Sequence, residues 1–274
     1  MKKILSLVLA AALSFSVVGC GTKADAGNKD DKTIKVGATP VPHKEILGHI
    51  APALEKEGYK LEIVEFEDYQ LINPSLANKE LDANFFQHIP FLEGQNSEKK
   101  YDLTYTAKVH IEPLGFYSKH ITDIKDLKDG STIAVPNDAT NEARALRLLE
   151  KNGLIKVKEG DLVTAVSYTH LTQDITENTK NLKIMEVDAA QLPRILVDVQ
   201  GAVINTNYAL AANLVPTKDA LFIEESDSPY VNILAVRQDN KDSEKIKALT
   251  KALTSEDVKK FIEEKYKGSV VPAF

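Results

Sequence analysis

Thr132-Ile133-Ala134-Val135-Pro136-Asn137-Asp138-Ala139-Thr140-Asn141-Glu142-Ala143-Arg144 reads as a strand, a break and the opening of a helix. Thr132 to Val135 is a β-type apolar run, and Pro136-Asn137-Asp138 ends it. Ala143, Leu146, Leu148 and Leu149 then recur at helical spacing to about Asn152, with Gly153 as the stop. Asp138, Thr140 and Asn141 are all good N-cap types. The free N–H groups of a first helical turn seat an anion well. Arg144 lies close enough to that turn for its guanidinium to reach a carboxylate there, in a pair that can be bidentate. A capped surface helix with a solvated arginine fits the same spacing, so both readings stay open.

The alternation continues on both sides. Upstream, Thr33 to Ala38, Leu61 to Phe66, Ala83 to Phe86, Thr104 to Ile111 and Leu114 to Ser118 read as strands. A helix carrying Ile46, Leu47, Ile50 and Leu54 lies between the first two. Pro52 bends that helix or marks its true start, and Gly58 stops it. A short helix is expected over Asn73 to Asn78, and another with a turn over Ile124 to Gly130. Downstream, Leu182 to Val187, Ala202 to Ile204, Leu221 to Ile223 and Asn232 to Val236 are strands. Helices over Ser243 to Leu253 and Glu256 to Lys265 close the chain. The expected fold class is α/β, with mostly parallel sheets covered by helices. The preferred architecture has two lobes, the second inserted into the first, with crossings near Ile111 to Ser118 and Asp227 to Asn232. The boundaries are 33–115 plus 230–274 for lobe 1 and 116–229 for lobe 2, with the ligand cleft between them.

The N-terminus points to export. Lys2 and Lys3 precede an uncharged apolar stretch, Ile4 to Val18, too short to cross a bilayer. Val17-Val18-Gly19-Cys20 follows as a lipoprotein-type cleavage site, which makes residues 1–20 a signal peptide. Cys20 is the only cysteine in 274 residues, so it has no intramolecular disulfide partner, and lipidation explains it. Residues 21–32 hold no large apolar side chain and read as a flexible tether. A net charge of −6 with both signs interspersed implies no basic face for nucleic acid.

Two further segments could form a site. Leu81-Asp82-Ala83-Asn84-Phe85-Phe86-Gln87-His88-Ile89-Pro90-Phe91 places three phenylalanines and a histidine just past a strand. Strand alternation would point Phe86 and His88 into one cleft, which Tyr69 and His110 could join. Ala202-Val203-Ile204-Asn205-Thr206-Asn207-Tyr208 runs a strand into asparagines, and an amide there either accepts from an α-ammonium group or caps the next helix. The histidines show no i, i+4 metal spacing, and phosphate-loop and serine-elbow motifs are missing, so neither a metal site nor an enzyme is favoured.

Together these segments resemble the methionine-binding lipoproteins of ABC importers, the NlpA lipoprotein family. The resemblance rests on Cys20, on residues 81–88, on Val109-His110-Ile111-Glu112-Pro113 and on Pro136-Asn137-Asp138 with Asn141 and Arg144. Ala202 to Asn205, Asn207-Tyr208, Tyr230-Val231-Asn232 and Tyr266-Lys267-Gly268 through Phe274 extend it. It implies a periplasmic-binding-protein fold of type II-like form and capture of L-methionine without a cofactor. Arg144 would meet the ligand carboxylate, Asn141 and Asn205 its other backbone polar groups, and Tyr69, Phe86, His88 and Phe91 its thioether. The implied partners are an ABC permease with its ATPase and, through the lipid on Cys20, the outer face of the cell membrane. A methionine-containing dipeptide, another apolar amino acid or a surface adhesion or sensing role are the alternatives. Phe91 stands where the family usually has tyrosine, and Val166 to Leu171 is unlike the family.

Overall fold

The computed structural model describes residues 32–160, 171–225 and 228–274. The signal segment, Cys20, all of the tether but Lys32, and most of the 166–171 stretch lie outside the described residues. Along the chain the strands are β1 (Thr33–Ala38), β2 (Lys60–Glu65), β3 (Ala83–His88), β4 (Leu103–Ile111), β5 (Gly115–Tyr117), β6 (Thr132–Pro136) and β7 (Lys156–Val157). They continue as β8 (Ile175–Glu177), β9 (Lys183–Val187), β10 (Gly201–Ile204), β11 (Phe222–Ile223), β12 (Val231–Arg237) and β13 (Val271–Pro272). The helices are α1 (Glu45–Lys56), α2 (Ile72–Ala77), α3 (Ile89–Lys99), α4 (Ala139–Lys151), α5 (Leu192–Ile195), α6 (Thr206–Ala211), α7 (Pro216–Asp219), α8 (Glu244–Leu253) and α9 (Glu256–Tyr266).

Two main sheets form, in the orders β13-β4-β12-β3-β1-β2 and β11-β5-β10-β6-β9. The first takes both ends of the described chain and the second takes its middle, which is the two-lobed α/β architecture expected. The sheets are mixed rather than mostly parallel. β1 runs parallel to β2 and β3, but β12 lies antiparallel between β3 and β4. In the second sheet β10 is parallel to β6 and antiparallel to β5. The cause is topological: the chain leaves the first sheet along β4 and returns along β12, so these neighbours run in opposite directions.

Strand alternation divides the interior. Leu234 and Val236 face a core with Ile34, Val36 and the apolar stripe of α1, while Ile233 and Ala235 face the opposite side with Phe86 and Phe91. In β6, Ile133 and Val135 pack under α4, and Ala134 turns the other way. Pro52 sits inside α1 and is not its start. Burial of Ile46, Leu47, Ile50 and Leu54 outweighs the one backbone hydrogen bond that proline removes. The sequence reading missed α3, α5 and α7, and gave no bounds to the helix after Asn205, which is α6. Residues 124–130 make only a short 3-10 turn over Ile124–Asp126. Among the described residues no helix is long and apolar enough to cross a membrane.

Candidate functional site

The ends of three strands and the starts of three helices meet at one cavity of about 330 Å³, counted out to its mouth. Tyr69, Phe86, His88, Phe91, Asn141, Arg144 and Asn205, the seven binding residues singled out in the sequence, all line it. Gln87, Glu112, Thr206, Asn207 and Asn232 line it too.

β3 supplies the first wall. Simple alternation would hide Gln87 behind Phe86 and His88, yet all three reach the cavity. On the neighbouring strand Ile233 pairs with Gln87 and Leu234 with Phe85, so Phe86 is an extra residue in the register. Such a bulge re-aims side chains. Gln87 then bonds Asn73 and Asn84, a buried amide cluster that fixes the strand end. His88 caps α3: its Nδ1 accepts from the Phe91 N–H at 3.1 Å. That places the ring proton on Nε2, which donates to Asn141 Oδ1 at 3.1 Å. Burial, reinforced by Arg144, pushes the His88 pKa down to about 3, so the ring is neutral at physiological pH.

The aromatic wall is tightly interlocked. Tyr69 lies 5.5 Å from Phe86 and 5.8 Å from Phe91, and Phe86 lies 5.7 Å from Phe91, ring centre to ring centre. Tilted and edge contacts of this kind are favourable beyond the area they bury. The Tyr69 hydroxyl donates to Asn207 Oδ1 at 2.5 Å, and burial raises its pKa.

The opposite wall belongs to α4 and β10. Asp138 caps α4 through the Asn141 N–H at 3.0 Å and the Thr140 hydroxyl at 2.9 Å. Burial raises the Asp138 pKa against these bonds. Asn141 is held at both ends: Nδ2 donates to the Asp138 carboxylate at 3.0 Å, and Oδ1 accepts from His88 and from Asn205 Nδ2 at 2.9 Å. Asn205 stands at the N-cap of α6, but its side chain makes no capping bond. Its Oδ1 is buried and has no hydrogen-bond partner among the described residues. The structure therefore decides against the capping alternative.

Arg144 is 3% exposed and lies over the Tyr230 ring at 4.4 Å. Its Nε donates to both Glu224 oxygens at 3.0 Å, and Nη2 to the Glu112 carbonyl at 2.7 Å and to Glu224. One edge of the guanidinium fork is thus taken by Glu224, leaving Nη1 as the nitrogen without a hydrogen bond among the described residues.

Glu112, at 6% exposure, brings a buried carboxylate to the same cavity. His110 Nε2 lies 2.7 Å and His43 Nε2 3.2 Å from its Oε1, and Thr39 Oγ1 orients His43 from the other nitrogen at 2.7 Å. Burial raises the Glu112 pKa, while His43, Arg144 and the Asn207 N–H pull it back. His43, His110 and Glu112 present potential ligand atoms all within 4.8 Å, a grouping that sequence spacing could not reveal. The two Nε2 atoms and Glu112 Oε1 are partnered within the group, while His110 Nδ1 is buried with no hydrogen-bond partner among the described residues. His110 stands behind Glu112 and does not line the cavity, contrary to its expected place in the wall.

Residues 34–274 match the family described as NlpA lipoprotein. The chain is 44% identical over 262 residues to the D-methionine-binding lipoprotein MetQ of Salmonella typhi, covering 94% of this chain and 93% of that one. It is 41% identical over 278 residues to the methionine-binding lipoprotein MetQ of Bacillus subtilis strain 168, covering 99% of each. The solved structure of a nutrient binding protein from Burkholderia cenocepacia bound to methionine superimposes with a TM-score of 0.83. That protein is 49% identical, and the match covers 88% of this chain and 100% of that one. With likeness of this extent in sequence and in fold, the chain belongs to the NlpA lipoprotein family.

Proposed function

We propose that the cavity captures a free α-amino acid with an apolar side chain, L-methionine first, for delivery to an ABC importer. One observation carries this reading: a guanidinium, a buried carboxylate and an unpartnered amide oxygen share a cavity with an interlocked aromatic wall. Arg144 offers Nη1 to the ligand carboxylate, and Glu112 and Asn205 Oδ1 accept from the ammonium group. Asn141 acts mainly by fixing Asn205 and His88. Tyr69, Phe86 and Phe91 surround the thioether, whose sulfur gains roughly 0.3–1.5 kcal/mol per aromatic contact. The methionine named for the MetQ relatives and bound to the Burkholderia protein supports the choice.

The cavity hydroxyls of Thr206 and Tyr69 donate to the Pro113 carbonyl and to Asn207, so among the described residues neither is paired with a general base there. The chain binds without transforming its ligand. Lobe 1 comprises 33–115 with 230–274 and lobe 2 comprises 116–229, and closure of the two around the ligand forms the surface that docks on the permease with its ATPase. Lipid on Cys20 holds the protein to the membrane, facing away from the cytoplasm.

Calorimetric titration of L-methionine into the full chain in mild detergent tests the proposal. The chain is first unfolded and refolded to strip bound ligand. Saturable one-to-one binding at micromolar or tighter affinity supports it. A folded chain that gives no heat refutes methionine, and titration with methionyl dipeptides and other apolar amino acids follows.

A further inference from the structure

Phe91 lines two cavities at once. On one side lies the cavity already described, and on the other an outer pocket of about 730 Å³, counted to its mouth, where α3 meets α4. The outer pocket mixes apolar surface with polar side chains, with Gln70, Gln95, Glu98, Asn137, Thr140 and Asp188 in its walls. Phe91 is fixed in place rather than loosely hung. Its backbone N–H is bound to His88 at 3.1 Å, and its ring meets Tyr69, Phe86 and His88 at steep angles, 5.7–6.1 Å between centres. At 3% exposure it presents almost nothing to solvent.

Resting on the amino-acid reading above, we propose that Phe91 is the partition that sets how long a side chain the cavity accepts. The outer pocket is a second subsite, suited to a side chain that continues past the thioether to a polar end. The reasoning is steric and chemical together. A ligand anchored by its ammonium and carboxylate at Glu112, Asn205 and Arg144 runs its side chain toward the aromatic wall. Lengthening that chain drives it into Phe91, the ring that borders both spaces. A close-packed wall does not give way cheaply. Shortening Phe91 joins an apolar inner slot to an outer one with polar side chains in its walls, in the order that such a ligand presents its groups.

The test compares L-methionine with S-(3-hydroxypropyl)-L-homocysteine, which keeps the amino-acid head and thioether and adds two carbons and a hydroxyl. Both are titrated into the full chain in detergent, as wild type, Phe91→Ala and Phe91→Leu, with thermal melting to verify folding. The wild type is expected to prefer methionine by about tenfold or more, the discrimination that an apolar pocket achieves for one or two extra methylenes. Phe91→Ala should reverse the preference, with methionine weakened and the longer ligand strengthened. Phe91→Leu should narrow it, and carries the test alone if the alanine variant does not fold. A wild type that binds both ligands equally, or variants that keep the wild-type ratio, overturn the partition. A wild type that binds no α-amino acid overturns the underlying reading and the partition with it.

Discussion

Glu224 accepts from Arg144 Nε at 3.0 Å on each of its two oxygens, and its Oε2 also accepts from the Leu114 N–H at 3.3 Å. Arg144 in turn donates to the Glu112 carbonyl. One arginine of α4 thus ties together both stretches by which the chain passes between its sheets. A bidentate grip on a ligand carboxylate, which spacing left open, would have to dislodge Glu224. The geometry favours a single bond from Nη1.

Arg144→Ala should weaken methionine binding by about 2–4 kcal/mol, since it strips a buried carboxylate of its cationic partner. It should also lower the melting temperature, because Glu224, at 18% side-chain exposure, loses its counter-charge. Calorimetry below the variant's melting point separates the two effects. Wild-type affinity in the folded variant would refute the assigned role.

Asn205→Ala removes a buried cavity oxygen that has no partner among the described residues and the donor that orients Asn141. Hydrogen bonds to a charged group contribute about 1.5–3 kcal/mol, so affinity for methionine should fall by roughly ten- to a hundredfold. N-acetylmethionine, which lacks the ammonium group, should bind poorly to wild type and variant alike. An unchanged methionine affinity would place the ammonium elsewhere.

Most strands were legible because they are short apolar runs bounded by turn residues, as in Ile133 to Val135 and Ala202 to Ile204. α3 was not, because its stripe is thin: only Phe91, Leu92 and Gln95 are buried, and histidine is an unusual cap. Pro90 in its first turn was the available signal. Local spacing brought out Arg144 and the aromatic wall because each lies within a few residues of a strand end. Gln87 depended on a bulge, and Glu112 on its meeting with His43, which joins distant parts of the chain. The insertion of β12 between β3 and β4 was hidden for the same reason, since pairing across the second lobe leaves no local pattern.

Replacing Cys20 with alanine tests the proposed anchor, because it removes the proposed lipid acceptor. The protein should then move from the membrane fraction to the soluble fraction of fractionated cells, since the signal segment is too short to span a bilayer. Retention in the membrane would show that something other than acyl chains holds it there.

The three buried histidines fix the sign of the acid response. Burial lowers His43 to about 4 and His88 and His110 to about 3, against 6.5 for an unhindered ring. The folded state therefore resists protonation that the unfolded chain accepts below pH 6.5. Their contribution to stability is complete above that pH and is lost as pH falls toward 4 and 3, at no more than about 1.4 kcal/mol per pH unit for each ring. Glu142 acts in the opposite sense. Burial beside Glu186 raises it from 4.5 to about 8, so its contribution is present below pH 4.5 and is lost as pH rises through 8. Melting temperature should accordingly fall on both sides of a middle range. Glu142→Gln should flatten the fall above pH 6.5 and leave the response below pH 4.5 unchanged, and His43→Asn should make the acid side shallower. The two limbs have separate causes, so a single variant that altered both equally would contradict this assignment.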